Sequence, residues 1–220
     1  MHILPIQTPL LKPGDDLATI ITNAIGLEPG DILALSSKAV ATVEDAMIDL
    51  QQVQPTEEAE EYAKKCGRSA AFWQAVLEEM KYWNGTALSS CPGAVLTELT
   101  PAGMQEGTIL VANAGLDESN TEQGFAVGWP RNPVQSLCTL RRDIDSQFSI
   151  LNSQLGLLLT DSCCSPRRTG VTALALAVSG FDPLRDQKGE RDLHGKTLTL
   201  TQEAVADQLA TAANAVMGNT

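Results

Sequence analysis

The stretch Leu155-Gly156-Leu157-Leu158-Leu159-Thr160-Asp161-Ser162 decides how the rest of the chain is read. A short uncharged run, rich in leucine, stops at an acid and a hydroxyl. Such a run reads as a buried strand, and strands of this kind often deliver a catalytic residue at their end. Downstream, Thr172 to Val178 alternates Leu174, Leu176 and Val178 with Ala173, Ala175 and Ala177. That pattern predicts a second strand with one face packed closely against another backbone. Upstream, Pro29-Gly30 is followed by Asp31-Ile32-Leu33-Ala34-Leu35-Ser36-Ser37, another buried strand. Thr108 to Ala112 and Lys196 to Thr201 are read as short strands.

Helical spacing fills much of the remainder. Leu17, Ile20, Ile21 and Ala24 recur behind Lys12-Pro13-Gly14-Asp15-Asp16, whose acidic end can cap the first turn. Pro55 to Trp83 is helical with a break at Gly67; Tyr62, Ala63 and Cys66 line one face before it, and Phe72, Val76, Met80 and Trp83 another after it. Glu57, Glu58, Glu60 and Glu61 make a solvated face that complements the helix dipole. Asn132-Pro133 offers an N-cap and a first helical residue ahead of Leu137, Leu140, Arg141 and Ile144. Gln202 to Met217 carries Val205, Leu209, Ala212 and Val216 in its stripe and ends at Gly218. Asn84 to Gly107 reads as a looser, Gly- and Pro-containing middle. Helices and strands mix without strict alternation or an internal repeat, so the expected class is α+β, with mixed sheets and packed helices.

Charge narrows the partners. The 220 residues hold 15 Lys and Arg against 27 Asp and Glu, a net charge of −12, with a pI near 4.5. No basic run exceeds a pair, which argues against nucleic acid. An acidic protein that handles phosphates needs divalent cations or backbone donors to offset the repulsion. The 43% hydrophobic and 19% charged shares are those of a globular chain. Its mass of 23.4 kDa implies a folded surface of about 9,800 Å² and room for one core, or two small ones sharing a border. The uncharged stretches are too short and too polar to span a bilayer. Met1-His2-Ile3-Leu4-Pro5 has neither a basic n-region nor a long apolar h-region. A soluble, cytoplasmic protein is expected, with no membrane partner. Cys66, Cys91, Cys138, Cys163 and Cys164 are odd in number and form no C-x-x-C, so neither a disulfide framework nor a zinc cluster fits. His2 and His194 are too few for a His-rich metal site or a Ser-His-Asp triad.

Neither a P-loop nor a Rossmann glycine fingerprint occurs, so any nucleotide is bound by another device. Two acids stand out by position. Asp117 follows a strand within Asn113-Ala114-Gly115-Leu116-Asp117-Glu118-Ser119-Asn120, and Asp161 closes the leucine strand beside Ser162. Acids at strand ends can converge on a hard cation with oxygen ligands. They can equally cap local turns through the same side-chain oxygens. Without a cation the two carboxylates would repel, and one would tend to hold a proton. Asn at either position is then expected to leave the fold as stable as before, or slightly more so, whereas turn capping predicts a loss of about 1 kcal/mol or less. The segment from Asp186 to Gly195 has acids and glycines at regular offsets but lacks the calcium-loop spacing, and is read as a turn-rich connection. Cys163 and Cys164 are not expected to be catalytic, because no histidine lies near them in sequence.

Several of these stretches, in register over nearly the whole chain, resemble the coenzyme F420:L-glutamate ligases, also called F420-0:gamma-glutamyl ligases. They are Pro9 to Leu17, Gly30-Asp31-Ile32-Leu33, Phe72 to Glu79, Ala112 to Asn120, Asp161-Ser162, Asp186 to Gly195, and Ala204 through Gly218. The resemblance implies that family's α+β fold. It implies either one unit over 1–220 or two intertwined subdomains, approximately 1–83 plus 196–220, and 84–195. It also implies a GTP-dependent amide ligase, in which a carboxylate of the deazaflavin precursor is phosphorylated and the amine of L-glutamate attacks the acyl phosphate. Mg²⁺ or Mn²⁺, a monovalent cation such as K⁺, and a homodimer come with it. Carried over by position, Asp117 and Asp161 hold one metal and Ser162 a second. Thr8, Pro9, Leu10, Leu11, Ser37, Lys38, Asn120, Met217 and Gly218 border the nucleotide; no catalytic residue is assigned. Thr42 stands where the family has a nucleotide-contacting Lys, and Cys164-Ser165 where it commonly has Gly-Arg, followed here by Arg167 and Arg168. Family members commonly continue past the final Met-Gly. The alternative reading is a non-catalytic or impaired relative that binds a nucleotide or metabolite, or serves as a dimeric interaction protein.

Overall fold

The computed structural model describes residues 1–102, 104, 107–147, 154–165 and 168–218. In chain order, the first half contains α1 (Leu17–Ala24), β1 (Ile32–Ser36), α2 (Ser37–Val43), β2 (Met47–Asp49), α3 (Glu57–Cys66) and α4 (Ala70–Tyr82). The middle contains β3 (Thr86–Cys91), β4 (Ala94–Leu99), β5 (Ile109–Ala112), β6 (Phe125–Val127) and α5 (Pro133–Gln147). The last part contains β7 (Gly156–Cys164), β8 (Val171–Ser179), β9 (Leu184–Asp186), β10 (Gln202–Ala204) and α6 (Val205–Met217). The fold is α+β, with several small sheets and packed helices.

The leucine run is the middle strand of a three-stranded sheet ordered β1-β7-β8. β1 lies parallel to β7, and β8 lies antiparallel on the other side. Both faces of this sheet are covered, which is why β7 shows no polar alternation. Leu33, Leu35, Leu157 and Leu159 pack with Leu17 and Ile21 of α1 and with Leu137, Leu140 and Ile144 of α5. On the opposite face Leu158 and Ala173 meet Ala206 and Ala210 of α6. The small residues of β8 thus let α6 approach closely, as the alternation predicts. An extra residue, Leu176, interrupts the β7–β8 register between Leu159 and Thr160. Such a bulge re-aims the side chains that follow it, and here it falls just before Asp161.

A second core forms around α4. Phe72, Trp73, Val76 and Trp83 pack against Val95 and Leu99 of β4, Val111 of β5, and Trp129. Each large side chain removed from water contributes roughly 1.5–3 kcal/mol. The predicted caps at Asp16 and Asn132 are in place, and Ser69 adds one that the sequence reading did not name. Asp16 accepts from the Thr19 amide, Ser69 from Phe72 and Asn132 from Gln135, at 3.0, 3.1 and 3.1 Å.

Four expectations change. Within Asn84 to Gly107, residues 86–99 are not loose, because β3 and β4 form an antiparallel hairpin there and β5 adds to it. Pro92-Gly93 is its turn, with Gly93 at φ 81°. Residues 196–201 form only an isolated bridge, Arg191 to Thr197, and the strand begins at Gln202. The last helix accordingly starts at Val205 rather than Gln202. Finally, β7 does not end at Asp161 but pairs with β8 as far as Cys164.

Gly180, at φ 90°, follows β8 where its backbone crosses Leu155; a Cβ there would collide with the Leu155 carbonyl oxygen. Gly180→Ala is therefore expected to lower stability by about 2 kcal/mol or more. Urea unfolding monitored by tryptophan fluorescence checks it.

Candidate active site

Although β7 continues past Asp161, its parallel partner does not. β1 ends at Ser36 opposite Thr160, and Ser37 turns the chain into α2. From Asp161 onward, one side of β7 is left without β1, and a cleft of about 450 Å³ opens there. Ligand sites in sheets with parallel strands favour this position, outside the carboxyl end of a strand. α2 contributes Lys38 to the cleft, β7 contributes Thr160, Asp161, Ser162 and Cys164, and α6 closes it with Asn214, Met217 and Gly218.

Asp117 enters from the facing side through an unusual backbone. After β5, Asn113, Ala114 and Gly115 are all left-handed, at φ 53°, 54° and 80°. Left-handed backbone costs a non-glycine residue about 1 kcal/mol or more, so the surroundings must hold it. The buried Asn113 amide oxygen accepts from Val95 N at 2.9 Å, and Ala114 N donates to the Thr97 hydroxyl at 3.1 Å. Gly115 is required for a second reason, since a Cβ there would stand 2.7 Å from the Trp129 indole. Asp117 is then clamped to Val127 by two backbone hydrogen bonds, of 3.0 and 2.8 Å.

The two acids meet at one ammonium. Lys38 Nζ lies 3.4 Å from Asp117 Oδ2 and 3.9 Å from Asp161 Oδ1. The far oxygens are occupied. Asp117 Oδ1 accepts from the amides of Glu118 and Ser119 at 2.8 and 3.2 Å, and the Ser119 hydroxyl donates to Oδ2. Asp161 Oδ2 accepts from the Trp129 indole at 2.5 Å. Asp117 thus caps a turn, as its local reading expects, and also faces the cleft.

Burial separates the pair. Asp161 is 8% exposed, and desolvation raises its pKa against the opposing pull of Lys38 and Trp129. Burial also pushes Asp117 up, but the Ser119 hydroxyl, Lys38 and the backbone amides outweigh it and hold the carboxyl below its ordinary value. Cys164 at the cleft wall is pushed up, by burial first and by Cys163 and Cys91 next. That disfavours a thiolate nucleophile. The hydroxyl oxygens of Thr160, beside Asp161, and of Ser37 are buried and have no hydrogen-bond partner among the described residues. Carboxylate and hydroxyl oxygens are the donors a hard cation prefers. Among the described residues no cluster of three or more His, Cys, Asp or Glu occurs, so the acidic part of this set is Asp117 and Asp161.

The structure brings Lys38, Asp117, Asn120, Asp161, Ser162, Met217 and Gly218 onto one cleft. It does not bring Thr8, Pro9, Leu10 and Leu11 there; Leu10 is 84% exposed. Ser37 is fully buried at the start of α2, and its neighbour Ser36 lines the cleft instead. Thr42 turns its hydroxyl back to the Lys38 carbonyl at 2.8 Å. Arg167 lies outside the described residues. Asp186 and Asp192 accept from local amides, at Lys188, His194 and Lys196, in a turn-rich segment. Sequence reasoning missed Trp129 and Thr160. Nothing in the sequence around Trp129 marks its indole as the partner of an acid 32 residues away.

A family model described as F420-0:Gamma-glutamyl ligase matches residues 5–220. The chain is 37% identical to a coenzyme F420:L-glutamate ligase of Methanosarcina acetivorans, over 96% of its own length and 78% of the relative's. It is 34% identical to the protein of that name from Methanopyrus kandleri, over 94% and 77%. To the one from Methanocaldococcus jannaschii it is 33% identical, over 99% and 82%. No helix among the described residues is long and apolar enough to cross a membrane.

The electrostatics revise the expectation that Asn at either acid is neutral or stabilising. Asp117 has a depressed pKa, so its contribution is present above roughly pH 4 and is lost as pH falls through the lower folded-state value. Asp117→Asn should destabilise the protein at neutral pH, by about 1 kcal/mol or less for a solvent-reachable pair. Asp161 has a raised pKa, so its ionised form costs stability at neutral pH and the cost fades on acidification. Asp161→Asn should therefore be neutral or stabilising at pH 7. Thermal melts of both variants between pH 3.5 and 7.5 check the opposite signs.

Proposed function

Because the chain belongs to the F420-0:gamma-glutamyl ligase family, we propose that it joins the amine of L-glutamate to a carboxylate acceptor, with GTP as phosphoryl donor. The acceptor class is the F420-0 precursor or a related metabolite. The observation that supports this best is the convergence of Asp117 and Asp161 on one cationic point, 3.4 and 3.9 Å from the Lys38 ammonium. In this reading Asp117, Asp161 and the Ser162 hydroxyl hold Mg²⁺ or Mn²⁺, with K⁺ as the monovalent cation. Asn120, Met217 and Gly218 border the nucleotide. A bound divalent ion supplies charge neutralisation for the triphosphate and for phosphoryl transfer. The acceptor carboxylate oxygen attacks the γ-phosphorus, giving an acyl phosphate and GDP. The glutamate amine then attacks the acyl carbon; inorganic phosphate leaves, the nitrogen loses a proton, and an amide remains.

Lys38 provides the positive charge that position 42 lacks. It stands one helical turn before Thr42 on α2, so the same helix face can serve the same phosphate. A cytoplasmic setting agrees with the free state of all five cysteines. A homodimer is part of the proposal. The chain exposes 13002 Å², where a compact monomer of this mass exposes about 9,800 Å². Leu193 and Leu200, between β9 and β10, are 101% and 85% exposed, an arrangement suited to covering by a second copy. Thr42 also keeps the alternative in play: a relative that binds nucleotide without turning it over.

GTP with Mn²⁺ is expected to raise the melting temperature, since a ligand that binds only the folded state must stabilise it. Phosphate release should require both L-glutamate and an acceptor; stabilisation without release across an acceptor panel would favour the non-catalytic alternative. Lys38→Met should weaken GTP binding by about tenfold or more, the scale of one lost charge-assisted contact. Thr42→Lys should change it less, and a larger effect at 42 would return the role to that position. Light scattering at micromolar concentration should give a dimer mass, and a clean monomer would count against the shared interface.

A further inference from the structure

Each acid of the cleft turns one oxygen toward Lys38. On Asp117, Oδ1 is engaged by two backbone amides, and Oδ2, which also accepts from the rotatable Ser119 hydroxyl, is the oxygen turned toward Lys38. On Asp161, Oδ2 is engaged by the Trp129 indole at 2.5 Å, leaving Oδ1 toward Lys38. The indole is firmly held. It is 2% exposed and packs against Trp83 with ring centroids 5.5 Å apart. Trp83 in turn donates to Glu79 Oε2 at 3.0 Å, and Glu79 Oε1 is paired with Arg131 at 2.6 Å. On the other side the indole lies against Gly115, which has no side chain to compete for its place.

We infer that Trp129 is a positioning residue that sets the cation selectivity of this site: by holding one oxygen of Asp161, it makes that acid a one-oxygen ligand. Small divalent ions such as Mg²⁺ take one oxygen per carboxylate in near-octahedral geometry at about 2.0–2.1 Å. Ca²⁺ takes 6–8 oxygens at about 2.3–2.6 Å and commonly uses both oxygens of a carboxylate. An indole N–H committed to Oδ2 makes that second mode costly at Asp161, because the ion and the donor compete for one atom. The backbone amides impose the same restriction on Asp117. The inference rests on the divalent-cation reading proposed above.

Calorimetric titration of Mn²⁺, Mg²⁺ and Ca²⁺ into the wild-type protein and Trp129→Phe tests it. The wild type should bind Mn²⁺ and Mg²⁺ more tightly than Ca²⁺. Trp129→Phe should reduce that preference by about tenfold, the lower end of what losing a ligand's hydrogen-bond partner costs a metal site. Equal weakening for all three ions, with the preference unchanged, would make Trp129 a packing residue only and overturn the inference. Absence of any divalent binding by the wild type would overturn the cation reading itself, and this inference with it. Should Trp129→Phe fold poorly, the wild-type protein serves. The Trp129 indole proton, followed by NMR, should stay protected from solvent exchange as Mg²⁺ saturates the site. Loss of that protection on Mg²⁺ binding would mean the indole releases Oδ2, and the inference would fall.

Discussion

A carboxylate placed on the middle strand of a sheet and removed from water is the constraint around which this molecule is arranged. Left alone, a charge buried as deeply as Asp161 would cost several kcal/mol or would be neutralised by a proton. Two elements answer that demand, and a third adds to it. α2 turns sharply off β1 so that Lys38 reaches Oδ1, and the segment after β6 brings the Trp129 indole to Oδ2, whereas the left-handed turn after β5 sets Asp117 beside the same ammonium, where its like charge opposes ionisation of Asp161. The two hydrophobic cores meet in this region. The helix-covered sheet carries Asp161, and the α4 core carries Trp129. The site is thus the seam between two packing units, which gives each unit a polar reason to hold its orientation toward the other.

The energetics of the pair are unequal. Asp117 lies near solvent among donors that favour its charge, whereas Asp161 is penalised by burial that Lys38 and Trp129 only partly relieve. Strain adds to this, because Asn113 and Ala114 sit in backbone that only surrounding hydrogen bonds can hold. Strain and desolvation concentrated in one cleft are common where a protein gives up stability for chemistry.

The parts of this design visible in the sequence were those written as local pattern. The leucine run, the large–small alternation of β8, the break at Gly67 and the caps at Asp16 and Asn132 all rest on neighbours within a few residues. The β3–β4 hairpin was illegible because β3, Thr86-Ala-Leu-Ser-Ser-Cys91, is a largely exposed strand with little hydrophobic signal. The end of the leucine strand was misplaced for a different reason. What stops beside Asp161 is the neighbouring β1, and pairing partners are not encoded in the strand itself. Asp117 and Asp161 were recognisable as strand-associated acids, and their common cleft followed from the family resemblance. Trp129 and Thr160 were not, since an indole facing a distant acid or a hydroxyl left without a partner is a property of tertiary packing alone.

The close approach of Gly115 to Trp129 also has a meaning for how this sequence can change over time. A side chain at 115 and a six-membered-plus-five-membered ring at 129 exclude one another, because both claim the same space. The two positions are therefore epistatic: a substitution tolerated at one depends on what occupies the other, and their effects should not add. A lineage could acquire a larger residue at 115 only after 129 had shrunk, and it would lose the indole donor to Asp161 in the same step. Drift at a backbone turn and the ligand chemistry of the cleft are in this way tied to a single evolutionary path.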